Sequence, residues 1–390
     1  MKKYLSMMLA LGFVYTVWGP VHAATPTTSS NSKVVATENT KIKQFLENES
    51  KNLTADFPYR IHLFAAGQTD KNTAGVRIAE TAKQLFSDTA GLLFYYQLYN
   101  HAMRVPHWHA NATEVGTVLS GKMRVTIWEG TGQAKVFTVE KYGTWMIPQA
   151  AVHSLENVGE GELTFFVAYN NPNAADRDFA TAWASLPDSL LEKTLGLTPQ
   201  EIGTVKKTMI NRLSKYDPAA AVENADVTSP FSNNFTAVKP LFNSDLGSIK
   251  RIDGTTNPAM QAMALQQTIL KPSTLRVPHW YTSGDALLFI HKGNAFFTMM
   301  DSGGKIYNSL LKEGDLIFIP VGTFHSYLNI GKDNLEVYEA FNTAKGLSEI
   351  TLLNGAQHFS AGTLAGATGL SKESAQKVIS NPSTGYIIPF

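Results

Sequence analysis

The chain repeats itself. Arg104-Val105-Pro106-His107-Trp108-His109 recurs as Arg276-Val277-Pro278-His279-Trp280-Tyr281, 172 residues further on. The same offset joins Gly121 to Gly293, Pro148 to Pro320, His153 to His325, Asn157 to Asn329 and Gly159 to Gly331. A looser echo pairs Gly196-Leu197-Thr198 with Gly369-Leu370-Ser371 at 173. A constant offset over such a span means a duplication, so the two halves should fold alike. With 390 residues there is chain enough for each half to bury its own core.

The halves share a texture. Residues 115–128, 135–147 and 163–170 are short runs rich in Val, Ile, Phe and Thr with Gly turns, and so are 286–300, 316–320 and 335–341. Such runs predict an all-β sandwich or barrel with flanking helices rather than βαβ units. Thr198-Pro199-Gln200-Glu201 is a capping box with Pro at the first helical position. It opens a helix expected to carry Ile202, Val205, Met209 and Leu213 on one stripe. Asp217-Pro218 and the polar run after it read as a linker over 217–234, between a first domain over 55–216 and a second over 235–390.

The N-terminus reads as an address. Lys2 and Lys3 precede an apolar stretch to Trp18, Gly19-Pro20 breaks it, and Val21 and Ala23 are small residues before a cut. Residues 1–24 are therefore expected to be a secretory signal, with an uncleaved anchor helix as the alternative, and 25–54 a flexible leader. The mature protein is expected to be secreted or periplasmic, with no membrane attachment after cleavage. Lys plus Arg is 33 and Asp plus Glu 32, so the basic excess of a nucleic-acid binder is missing. Cysteine is absent, which excludes disulfides, thiol catalysis and Cys-ligated metal.

Metal chemistry therefore falls to the ten histidines and the carboxylates. His107 and His109 are two apart, so on a strand both imidazoles share a face. Glu114 completes H-x-H-x4-E, Gly121 turns the strand, and Gly143, Pro148, His153 and Asn157 follow. A lone strand histidine would be read as packing. Three with one carboxylate form a donor set that suits octahedral Mn(II) or Fe(II), and less well Zn or Ni. Four protein ligands leave two positions for water, dioxygen or a small chelating acid.

These residues resemble the cupin signature, G-x5-H-x-H-x3–4-E-x6-G followed by G-x5-P-x-G-x2-H-x3-N. Gly143 to Pro148 is one residue short of that pattern, and Ala150 stands where it has Gly. Over about residues 55–380 the chain resembles bicupins of the oxalate decarboxylase and oxalate oxidase type. That resemblance implies a duplicated double-stranded β-helix and one Mn(2+) per chain on His107, His109, Glu114 and His153. It implies dioxygen as co-catalyst and the dicarboxylate oxalate as substrate. It also places Arg104 at the position of the oxalate-binding arginine and suggests a homo-oligomer, a trimer or hexamer, packed through helices near 180–213 and 345–380. In that family a lid glutamate supplies the proton that makes formate. Here the loop runs Asn170 to Asp178, and Asp176 is the expected proton donor, with decarboxylation ahead of oxidation.

The second half departs from the pattern. Gly314, Pro320, Gly322, His325 and Asn329 keep its second part, but the first has become His279-Trp280-Tyr281, with Ala286 at the glutamate position. Asp285 is adjacent, yet one residue along a strand turns a side chain to the other face. The second half is expected to hold a degenerate site without metal. A non-catalytic bicupin, binding a small acid or serving for storage, is the competing reading of the whole chain.

Overall fold

The structure is a computed structural model and describes residues 39–79, 89, 91–207, 212–220, 228–343, 346–382 and 385–390. The expected signal sequence and the leader up to 38 lie outside the described residues. Each half forms two antiparallel sheets that face each other as a jelly roll. In the first domain the larger sheet runs Ser232–Asn234, Gly143–Ile147, Glu114–Ser120, Leu163–Tyr169, Leu92–Leu98, Gly75–Ala79 and Gln68–Asn72. The smaller runs Asp176–Asp178, Ala102–His109, Val152–Asn157, Lys122–Trp128 and Lys135–Glu140, with Leu213–Lys215 also against Ala102–His109. The second domain repeats this order, its larger sheet beginning Arg60–His62, Asp315–Ile319, Ala286–Lys292, Leu335–Phe341. Among the described residues no ladder joins the two sheets of a domain.

The domains exchange edge strands. Arg60–His62 pairs with Asp315–Ile317 of the second domain, and Ser232–Asn234 pairs with Gly143–Trp145 of the first. This corrects two sequence boundaries. The domain drawn over 55–216 gives its first strand to its neighbour, and the linker over 217–234 ends as a strand. The physical gain is a covered edge in each larger sheet. Arg60 and His62 lie 3.2 and 3.1 Å from the fully buried Asp315, which fastens the exchange.

The larger sheets also pack on each other. Glu114–Ser120 is buried on both faces along nearly its whole length, which is why apolar and polar residues do not alternate along it. Phe166 meets Phe289 and Tyr338 across the interface, with ring centroids 5.9 and 5.4 Å apart. Burying a phenylalanine of this kind contributes about 1.5–3 kcal/mol.

Two further expectations change. Within the leader, Thr40–Glu49 is a helix capped by Asn39, whose Oδ1 accepts from Lys41 N at 2.9 Å. Ile42, Phe45 and Leu46 share a face and pack on Phe296, Leu328 and Ile330 of the second domain, so this part is docked rather than free. The capping box after Gly196 forms as expected, with Thr198 N donating to Glu201 Oε2 at 2.8 Å. Within the described residues its helix runs Pro199–Lys207 with Ile202 buried, Met209 lies outside the described residues, and Leu213 belongs to a strand rather than to the helical stripe. No helix of the described residues is long and apolar enough to cross a membrane.

Candidate metal centre

Three strands build the centre. His107 and His109 project from Ala102–His109, His153 from Val152–Asn157, and Glu114 opens the facing sheet's Glu114–Ser120. His153 sits opposite His107 in register. The ligand atoms of all four residues lie within 4.8 Å of one another, and all four side chains are buried. The imidazole centroids of His107 and His153 are 4.0 Å apart, and those of His107 and His109 4.9 Å.

The backbone sets two tautomers. His107 Nδ1–H donates to Val105 O at 2.7 Å and His153 Nδ1–H to Ala151 O at 3.0 Å. Each Nε2 therefore carries a lone pair, and neither finds a hydrogen-bond partner although both are buried. Buried polar atoms without partners are costly, and two aimed into one centre fit a metal ion. Burial, the nearby Arg104 charge and the other imidazoles hold the His107 pKa well below the usual range; burial lowers that of His153 too, against the pull of Glu114.

His109 differs. Its Nε2 lies 3.0 Å from Glu114 Oε2 and its Nδ1 2.8 Å from Asp176 Oδ1. Burial opposes its protonation, but the two carboxylates outweigh burial and raise its pKa. Without metal His109 is thus the proton-holding member, and an ion would displace the Nε2 proton. Glu114 is held ionised against burial by His109 and His153, and its Oε1 accepts from Trp145 Nε1 at 2.9 Å. A Cβ at Gly116 would fall 2.2 Å from the Trp145 ring, so this glycine admits the tryptophan that steadies the ligand. Neither Trp145 nor Gly116 was singled out by the sequence pattern, whose spacing marks ligands rather than their supports.

The expected substrate residues lie alongside. Arg104 is fully buried and is held by Asp176 and by Asp178, both at 2.8 Å. Asp176 does not sit in an open loop. It begins the short strand Asp176–Asp178, directly opposite His109, and Arg104 and His109 hold it ionised against burial. Asp178, which the sequence offers beside Asp176 on the same loop, was not expected to pair with Arg104, because the two lie 74 residues apart. The motif asparagine is not at the centre: Asn157 Nδ2 donates to Leu98 O at 3.0 Å and Gly161 O at 2.7 Å, clamping a turn. Trp108 turns away from the centre, onto Phe179.

Comparison with known proteins agrees with this construction. The cupin family profile matches residues 61–203 and again 233–376. A probable oxalate decarboxylase from Arthroderma benhamiae is 23% identical over 269 residues, spanning 65% of this chain and 65% of its own. Germin-like protein 2-4 of Oryza sativa subsp. japonica is 32% identical over 162 residues, 40% of this chain and 70% of its own. The solved structure of oxalate decarboxylase from Bacillus subtilis at pH 4.6 superposes with a TM-score of 0.76 at 19% identity, covering 85% of this chain and 87% of that one. Two family matches, one in each half of a duplicated jelly roll, leave one conclusion: the chain belongs to the cupin family and is a bicupin with the architecture of the oxalate decarboxylases.

Proposed function

We propose that the protein is an exported manganese enzyme that decarboxylates oxalate to formate and carbon dioxide at the first domain. The observation that carries this reading is the set of four buried ligands with two unpartnered imidazole nitrogens, beside a buried arginine. The names of the fungal and bacterial relatives support the substrate, and the manganese centres studied in the Bacillus subtilis enzyme support the metal. When bound, the ion would supply positive charge for a chelated dianion and one-electron chemistry, with dioxygen as possible co-catalyst.

The chain's own residues bind the substrate and move its proton. A guanidinium fork grips a carboxylate bidentately. Arg104 already grips two, so a substrate carboxylate takes the place of Asp176 there. Asp176 starts ionised. It accepts the proton of hydrogen oxalate and returns it to the carbon of the one-carbon fragment, so no net proton is consumed. One observation favours a second reading. Asp176 is fastened to both Arg104 and His109, and if it cannot leave them the fragment is oxidised by dioxygen instead, giving carbon dioxide and peroxide. Metal-loaded protein assayed with oxalate for formate, carbon dioxide and peroxide separates these readings, and no turnover of oxalate overturns both. Export is tested by the N-terminal residue of protein from an expressing cell. Exposed Leu190 and Leu352 on the flanking helices, with Phe359 in the bend after Leu352–Gln357, support a homo-oligomer, read by light scattering.

A further inference from the structure

At the positions equivalent to the four ligands, the second domain carries His279, Tyr281, Ala286 and His325. The backbone fastening of the imidazoles is unchanged, although His279 Nε2 now lies 3.3 Å from Tyr281 Oη. His279 Nδ1–H donates to Val277 O at 2.8 Å and His325 Nδ1–H to Thr323 O at 2.9 Å, and their rings are 4.1 Å apart. The carboxylate has moved rather than vanished. Glu339, equivalent to Val167, enters from the adjacent strand, fully buried. It accepts from Tyr281 Oη at 2.6 Å and from Gln266 Nε2 at 2.7 Å. Gln266, equivalent to Phe94, accepts in turn from Arg251 at 2.9 and 2.7 Å, and Arg251 stands where the first domain has Ala79. Arg251 and Arg276 both close on Glu349 at 2.5 Å.

The charge balance of the two interiors therefore differs. Around the first centre the guanidinium of Arg104 is held by Asp176 and Asp178, Glu114 is ionised beside the imidazoles, and the other buried arginine, Arg77, is paired with Asp70 at 2.7 Å. The half-exposed Arg212 reaches Asp176 only from the rim, at 3.5 Å, so it stands outside the buried set. Two negative charges are left over, which suits a divalent ion. In the second domain two guanidiniums face two carboxylates, Glu339 and Glu349. A divalent ion there would add two charges to a balanced, buried interior, which is strongly unfavourable. It would also have to separate Glu339 from Tyr281.

We infer that the second domain binds no divalent metal, and that Arg251, acting through Gln266 and Glu349, supplies from the chain the positive charge that an ion supplies in the first. This concerns residues of the second domain alone and stands whatever reaction the first domain performs. The test uses the full chain with the first centre disabled by His107→Ala and Glu114→Gln, titrated with Mn(2+), Co(2+) and Zn(2+) in turn. No bound equivalent is expected. One retained equivalent, lost on adding His325→Ala, overturns the inference. Should that variant fail to fold, the Mn(2+)-loaded wild-type protein serves instead: one class of manganese signal is expected by electron paramagnetic resonance, and two inequivalent signals overturn the inference. A gain-of-function arm tests the role of Arg251. Tyr281→His with Ala286→Glu is expected to create no second site while Arg251 remains, and to create one when Arg251→Ala is added, which leaves two negative charges over as in the first domain. Metal binding by the first pair alone overturns the charge argument.

Discussion

The first and second domains share a backbone plan and differ in a few interior side chains, and the differences sort by what holds each group in place. Everything fastened by backbone is common to both. The paired histidines donate to a carbonyl two residues back, and Asn329 clamps its turn through Leu270 O at 3.0 Å as Asn157 does through Leu98 O. Gly121 and Gly293 both turn at positive φ, 89° and 90°. The buried arginine and the strand carboxylate that grips it are kept, Arg104 with Asp176 and Arg276 with Glu349, but the other charges of the interior have changed. The poise of two imidazoles is thus a property of the strands, whereas metal binding is decided by carboxylates and arginines that the strands merely carry.

The sharpest way to break this comparison is to delete equivalent histidines. His107→Ala is expected to abolish metal binding and reduce activity to background, while His325→Ala leaves metal content intact, both read by metal analysis of purified protein. Equal losses would erase the distinction. Arg104→Lys is expected to remove about 10²-fold or more of the activity with normal metal content, since an ammonium cannot reproduce the planar fork. It also leaves one of the two buried carboxylates short of a charge-assisted hydrogen bond, at about 1.5–3 kcal/mol of stability by denaturant titration. Arg276→Lys should show the stability loss alone.

Asp176→Asn probes the carboxylate on His109. Metal affinity is expected to fall about 10–100-fold, as when an outer partner of a ligating histidine is removed. The product is expected to shift from formate toward peroxide. Unchanged affinity and product ratio would show Asp176 to be a passive strand residue.

Acid sharpens the contrast from the other side. Burial pushes His325 down to about 4. The unfolded chain, titrating near 6.5, binds that proton more readily, so the stability contribution is complete above pH 6.5 and is lost as pH falls toward 4. The loss is about 3 kcal/mol, and the slope of stability against pH should fall by one proton in His325→Gln. The smallest effect is at Ala150, which holds φ 66° where its counterpart Gly322 holds φ 77°. Ala150→Gly should relieve left-handed strain and stabilise the first domain by up to about 1 kcal/mol in denaturant titration.

Much of this was legible before any coordinates. The offset of 172 announced two like domains, and H-x-H with Glu114 and His153 named the ligand set, because strand periodicity and metal preference act on near neighbours. The edge exchange was not legible, since Arg60–His62 looks no different from a strand that stays at home. Nor was the fastening of Asp176, placed by loop alignment but given its partners by register opposite His109. Ala286 alone made the second site look merely decayed, and Glu339 and Arg251 occupy no motif position.

By itself the sequence determined the duplication, the all-β architecture, the four candidate ligands of the first centre and the replacement of two of them in the second. Those are local properties: spacing, periodicity and residue chemistry within a strand or a turn. Only the tertiary structure decided which charges meet inside each domain. Arg104 with Asp178, and Arg251 with Glu349, lie 74 and 98 residues apart in the chain. A buried charge is stable only beside its partner, and that neighbourhood exists once the sheets have closed on each other.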